Sequence, residues 1–396
     1  MRKKEKTIMM IGGGVQQINA IKIIHSCGYK VLVTDRNKNA PCFSIADYKA
    51  IIDGRDVESL IAFALLNKEV INLAGVFTLT ELVTSVAAVA NACKLPSVGL
   101  ENAVACQNKQ LCKKIWLENK ISTPKGKVVN SFNESKEVFT LFKKNIFIKP
   151  VVGFGGKESR RISSEEELSD YFYNNNEEVL IEEFLNGSMH DVNGLIDENG
   201  VFHPMGIVDR FFLNEYPVEK EIMTPSKLTQ GQQKSLYDLL ERSVRALGIK
   251  WGPIKGDAIL VDKNFYIFEV APRLHGPKSS LFLLPYSGFN CLEKSLAIIV
   301  GEKNNDLSIS QNNFVFCTAI LPLENTIFNS KLIKEWKKKG KIIEHLIFKS
   351  DGVKINKYMN STDVPAYIFI KGKSALDCKN IYKSLNKREN YGNNIK

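Results

Sequence analysis

The first hundred residues switch hydrophobic period repeatedly, and that alternation restricts the fold more than any other property of the chain. TIMMIGGG reads as a strand entering a glycine turn, and VQQINAIKIIHSCG as an amphipathic helix closed by Gly28. KVLVTD, VESLIAFALLNK, LAGVFTL and TELVTSVAAVANACK then follow as strand, helix, strand and helix, leading into LPSVG. Strands that alternate with helices call for a parallel sheet with crossover helices, so this part is α/β.

Further along the 396 residues the character changes. NKQLCKKIWLENKISTPKG predicts a helix that ends before Pro124, and a mostly antiparallel stretch follows: KVVNSF, NIFIKP, KESRRIS, EVLIEEFL, HDVNGLID and GVFHPMGIVDR. One helix interrupts it, SEEELSDYFYNN, with Ser164 and Glu167 spaced as a capping box. The long helix TQGQQKSLYDLLERSVRALG precedes PIKGDAILVDKNFYIFEVAPR, and a last region combines FVFCTAIL and PAYIFIKG with the helix SALDCKNIYKSLNK. The shifts divide the chain into an α/β domain (1–104), a central domain (105–304) and a small α+β region (305–396).

Composition removes several function classes. No apolar run reaches the roughly 18 residues that cross a bilayer, so no membrane role is expected. MRKKEKTIMMIGGG begins like a signal peptide, but its apolar core is far too short, and it reads as the first strand of a cytoplasmic protein. Eight scattered cysteines without C-x-x-C predict reduced thiols, and five histidines without H-E-x-x-H argue against a transition-metal site. The net charge of +11 is uneven: residues 305–396 hold 16 Lys/Arg against 8 Asp/Glu, which gives +8. Its densest run, KLIKEWKKKGK, reads as a solvated helix face ending at Gly340, and no nucleic-acid motif accompanies it. Small molecules are therefore the expected partners, with a homodimer left open.

Two glycine loops could carry chemistry. GGGVQQ lies between a strand and a helix, where Gly12 and Gly14 meet half of a dinucleotide fingerprint; Gln17 takes the third glycine's place, and Asp35 ends the next strand. A tight turn that binds no NAD explains the same residues. NIFIKPVVGFGGKESRRI carries Gly153, Gly155, Gly156 and Lys157 between two strands, with Lys149 closing the first. It is not a Walker A sequence, because Glu158 follows the lysine. Glycine amides can turn toward an anion, so the loop reads as a phosphate lid or as a plain surface hairpin.

GDAILVDKNFYIFEVAPR looks like two strands joined at Asp262-Lys263-Asn264. With Lys263 at the centre, Asp257 faces Glu269, and alternation puts Ala271 and Arg273 on the face of Glu269. Like charges directly opposite destabilise a hairpin, so the pair implies a cation between them, unless the register slips and leaves both acids exposed. Few, hard oxygen ligands suit magnesium carrying nucleotide phosphates.

NKQLCKKIWLENKISTP, FIKPVVGFGGK, VLIEEFLNG, GPIKGDA and FEVAPRLHG, in this order, resemble the ATP-grasp superfamily of carboxylate–amine ligases. The resemblance covers roughly residues 8–300. It implies a biotin-carboxylase-like N-terminal domain, a central ATP-grasp fold holding ATP between two antiparallel sheets, and a smaller C-terminal region. It also implies that Lys109 and Lys149 contact phosphates and that the loop Gly153–Lys157 (Gly155 and Gly156 included) closes over them. Glu182 would accept from the adenine amino group, the backbone of Glu183, Phe184 and Leu185 would hold the ring edge, and His190 would lie near the ribose. Asp257 and Glu269 would bind Mg2+, and Arg273 would steady an acyl phosphate. Ala271 stands where many members have a further metal ligand. Lys255 stands where many have histidine, and could face phosphate or substrate. The segment RLHGPKSSLFLLPYSGFN would line the cleft floor, with His275, Gly276, Lys278 and Ser279 near the substrate, and Glu81 could reach the same cleft; alternatively these residues only structure a loop. The expected activity is ATP-dependent joining of a small carboxylate, such as an amino acid, to an amine. The other reading is a nucleotide-binding module acting through a partner protein, with a nicotinamide-dependent oxidoreductase behind both.

Overall fold

In the computed structural model, four parallel strands form the first sheet: β1 (Thr7–Ile11), β2 (Lys30–Asp35), β3 (Tyr48–Ile51) and β4 (Leu73–Phe77), in the order β3-β2-β1-β4. The structure describes residues 5–153, 156, 158–175, 177–213, 217–304 and 306–387. Every residue of β1 is buried because helices cover both faces of the sheet. Met9, Ile11 and Leu32 meet Leu60, Ala64 and Val89 on one side, while Ile8 and Met10 join Ile21, Leu281 and Leu296 on the other. The sequence reading passed over β3, an edge strand in which only Ala50 is buried and no apolar alternation exists.

The second sheet is antiparallel, β5 (Gly126–Val129), β6 (Ile146–Pro150), β7 (Arg160–Ile162) and β8 (Val179–Glu183), in the order β5-β8-β6-β7. Between β5 and β6 lies a helix the reading missed, Phe132–Leu141, whose N-cap Ser131 accepts from the Glu134 amide. Its Val138 and Phe139 pack with Ile146, Ile148 and Leu168.

The third sheet has eight strands: β9 (Ser188–Ile196), β10 (Phe202–Phe212), β11 (Glu219–Thr224), β12 (Gly252–Val261), β13 (Asn264–Ala271), β14 (Phe314–Ile320), β15 (Glu344–Ile347) and β16 (Ala366–Gly372). Their order is β13-β12-β9-β10-β11-β14-β16-β15, so strands of the last region continue the sheet that carries the hairpin. Helix Gln230–Ala246 opens with a Thr229/Gln232 capping box and presses Leu236, Leu240 and Val244 on Val192, Ile254 and Ile267. The basic run forms helix Lys331–Lys338, with Ile333 and Trp336 inward and Lys331, Lys334 and Lys338 exposed, as a solvated face requires. All eight cysteines are free. Among the described residues no helix is long and apolar enough to cross a membrane.

Candidate active site

The hairpin brings Asp257 and Glu269 directly opposite each other, but through different geometry from the expected one. The turn is Asp262-Lys263 alone, with Asp262 at φ +53°, which sets the pairs Val261↔Asn264 to Ala258↔Ile267. A bulge then leaves Phe268 without a partner and restores Asp257↔Glu269, Gly256↔Val270 and Lys255↔Ala271. Phe268 lines the cleft, and the Lys149 ammonium lies 5.3 Å from its ring centroid.

Asp257 also pairs with Asp191 of β9, so Glu269, Asp257 and Asp191 form one acidic row across three strands. Cations of the chain are threaded through it. The Lys255 ammonium lies 2.5 Å from Asp257 Oδ2 and 2.5 Å from Glu269 Oε1. Arg210 reaches Asp191 at 2.8 Å and Asp257 at 3.1 Å, and His275 Nε2 reaches them at 3.1 and 2.9 Å. Burial alone would raise the Asp257 carboxyl, but Lys255, His275 and Arg210 hold it well below the usual range. Burial would lower Lys255, and the two carboxylates raise it instead. The ligand atoms of Asp191, Asp257 and His275 lie within 4.8 Å of one another, a spacing open to a metal, yet the guanidinium of Arg210 already bonds both acids.

The facing wall comes from the second sheet and the helix before it. Lys109 begins helix Lys109–Glu118 and donates to the Gly153 carbonyl at 3.0 Å. Burial pushes its ammonium down, partly offset by Glu269. Both oxygens of buried Glu182 face lysines, Lys113 at 2.7 Å and Lys149 at 2.7 Å. Its burial favours the neutral acid, but Lys149 and Lys113 bring it below its ordinary value. Between the two walls lies a cleft of about 440 Å³. Arg273 stands at its inner end, bonded to Glu81 from the loop after β4 and to the Leu274 carbonyl at 2.9 Å.

Most residues singled out in the sequence converge here. Glu81, Lys109, Lys149, Lys255, Asp257 and Glu269 line the cleft. So do Gly153, Gly156 and the run Glu182, Glu183, Phe184 and Leu185, together with Arg273, His275 and Gly276. Gly156 has φ +71°, and a Cβ there would meet Pro217 at 2.6 Å. Gly155 and Lys157 lie outside the described residues. His190 is corrected: it is not in the cleft wall but on the other face of β9 from Met189, where Asp209 at 2.9 Å and Ser188 at 2.8 Å hold its ring. Strand parity decides this, since neighbouring residues point to opposite faces. Lys278 and Ser279 do not line the cleft either. Lys278 pairs with Glu219 behind the floor, and Ser279 donates to Asp191 at 3.2 Å. Asp35 is spent on its own loop, accepting from the Gly13 amide at 2.8 Å. Asp191, Arg210 and Glu219 escaped the sequence reading, although the alternation of Met189, Asp191 and Asn193 marks one strand face.

Glu219 gives this floor a measurable acid dependence. Lys278 and Arg210 outweigh the effect of burial and bring its carboxyl down to about 2, from 4.5. The folded value lies below the unfolded one, so the stabilisation is present above pH 4.5 and disappears as pH falls toward 2. It amounts to about 3 kcal/mol. Glu219→Gln should therefore flatten the change in urea-unfolding free energy between neutral pH and pH 3, while wild type loses stability steeply; parallel profiles would contradict the assignment.

Residues 106–277 match the family description of an ATP-grasp domain. An uncharacterised protein of Sinorhizobium fredii, y4rH, is 24% identical over 271 residues, covering 65% of this chain and 55% of that protein. The chain thus spans about half the length of that relative. The L-amino acid ligase of Bacillus licheniformis superposes with a TM-score of 0.83 at 20% identity, over 97% of this chain and 98% of that one. N5-carboxyaminoimidazole synthetase of Staphylococcus aureus, solved with ADP, gives 0.73 at 14% identity, over 96% and 97%. At such identities the superpositions speak for the fold. By that match, residues 106–277 form an ATP-grasp domain.

Proposed function

We propose that the protein is an ATP-dependent ligase that activates a small carboxylate, such as an amino acid, as an acyl phosphate and joins it to an amine, releasing ADP and phosphate. One observation carries this reading: Lys109, Lys149, Glu269 and Arg273 converge on a single cleft between two antiparallel sheets. A carboxylate is a poor electrophile because oxide is a poor leaving group. When a carboxylate oxygen attacks the γ-phosphorus, the bond to ADP breaks. The amine nitrogen then attacks the acyl carbon, loses a proton, and phosphate departs. The protein has to align the reactants and offset negative charge, and needs no nucleophile of its own.

Lys109 and Lys149 supply positive charge to the phosphates. Leu185 meets the adenine edge, since the Glu183 and Phe184 amides already donate to Lys125 and Asn145. Arg273 steadies the acyl phosphate, and its buried Nε has no partner among the described residues. A divalent ion needs hard oxygens facing the cleft. Glu269 offers them, with 31% of its side chain exposed, whereas both oxygens of Asp257 are engaged by Lys255, His275 and Arg210. The residues therefore fit one magnesium at Glu269, which when bound cancels phosphate charge.

The test is ADP release with ATP, Mg2+ and amino acids supplied singly and in pairs, with products identified by mass spectrometry. Carboxylate-dependent ADP release is expected. ATP binding without turnover on any pair would instead favour a nucleotide-binding module working through a partner.

A further inference from the structure

The acidic row has a cation inside it that belongs to the chain. Lys255 and Asp257 are two residues apart on β12 and share a face, so the lysine folds back along its own strand. Its cross-strand partner on β13 is Ala271, whose methyl leaves room above the hairpin for the ammonium. There Lys255 bridges Asp257 Oδ2 and Glu269 Oε1 with 5% of its side chain exposed. A divalent ion bridging the same oxygens would have to displace this ammonium or lie against it, and like charges that close repel strongly where burial keeps solvent from screening them.

We propose that the Lys255 ammonium is a resident cation in the place of a bridging metal, so that the protein takes up its nucleotide with one divalent ion, held at Glu269, rather than two. This rests on the nucleotide-binding reading. Lys255 is then a positioning residue: it fixes the Glu269 carboxylate and neutralises Asp257 without itself touching the reacting atoms. The absence of a longer ligand at Ala271 and the presence of a lysine opposite it become one adaptation, in which a fixed charge replaces an exchangeable one.

The test counts Mn2+ by electron paramagnetic resonance, with and without a non-hydrolysable ATP analogue, for wild type and Lys255→Met. Wild type with analogue should hold one Mn2+ per chain and Lys255→Met two. Without nucleotide, the variant should bind Mn2+ about a hundredfold more tightly than wild type, because a positive charge has left the two acids. Two ions in wild type, or no gain in the variant, would overturn the proposal. If Lys255→Met does not fold, the wild-type count decides alone. If wild type binds no analogue, the ligase reading fails, and the nucleotide-free comparison still decides the role of Lys255.

Discussion

Glu269→Gln should lower substrate-dependent ADP release by about a thousandfold, a loss of roughly 4 kcal/mol of transition-state stabilisation. The change keeps the shape of the side chain and removes one charge at the point where the acidic row opens to the cleft. Two consequences follow together. The Lys255 ammonium loses one of its two carboxylates, and the cleft loses its exposed hard-oxygen donor. Because Glu269 retains 31% of its side-chain exposure, the fold itself should tolerate the change. The decisive comparison is steady-state ADP release for both proteins alongside their melting curves. A variant that melts like wild type and turns over at the wild-type rate would remove Glu269 from the chemistry.

Asp257→Ala should instead act on the fold, lowering unfolding free energy by about 3–5 kcal/mol. Asp257 is buried between Lys255, Arg210 and His275, and truncation leaves three positive or polarised groups facing one another. The penalty is the cost of uncompensated buried charge, not the strength of any single contact. Asp257→Asn should fall between, since its amide oxygen can still accept from Arg210 while the charge is gone. Urea denaturation at neutral pH separates the three proteins, and equal midpoints for wild type and Asp257→Ala would show that the row carries no structural weight.

The contrast between these acids shows what the sequence could reveal. Their pairing was legible because it is local: alternation on either side of a short turn brings position 257 to position 269. Two offsets nevertheless cancelled, since the turn is shorter than expected and the bulge at Phe268 returns the missing residue. Asp191, Arg210 and Glu219 lie on β9, β10 and β11, and of these only β9 pairs with β12, so the row is assembled through successive strand registers set over long sequence separations. No local pattern encodes that register. Strand β11, EKEIMT, carries no strand pattern because half its length is charged, and its two glutamates answer Arg210, Lys278 and Lys379. Helix Phe132–Leu141 is hidden for a simpler reason: its first residue also ends the strand-like run KVVNSF, so the Ser131 cap sits inside an extended pattern. The alternation of β1, β2 and β4 with helices, by contrast, is readable because those three strands are largely buried.

The eight-stranded sheet also bears on how such a protein can diversify. Backbone pairing runs without a break from the hairpin to β15, through Glu221↔Thr318 and Val315↔Lys371. A recombination event that exchanged the segment beyond residue 304 would have to reproduce the ladder along β11 to be accepted. Any exchange at that boundary is therefore constrained by main-chain hydrogen bonds between Glu221–Thr224 and Val315–Thr318, and not by side chains alone.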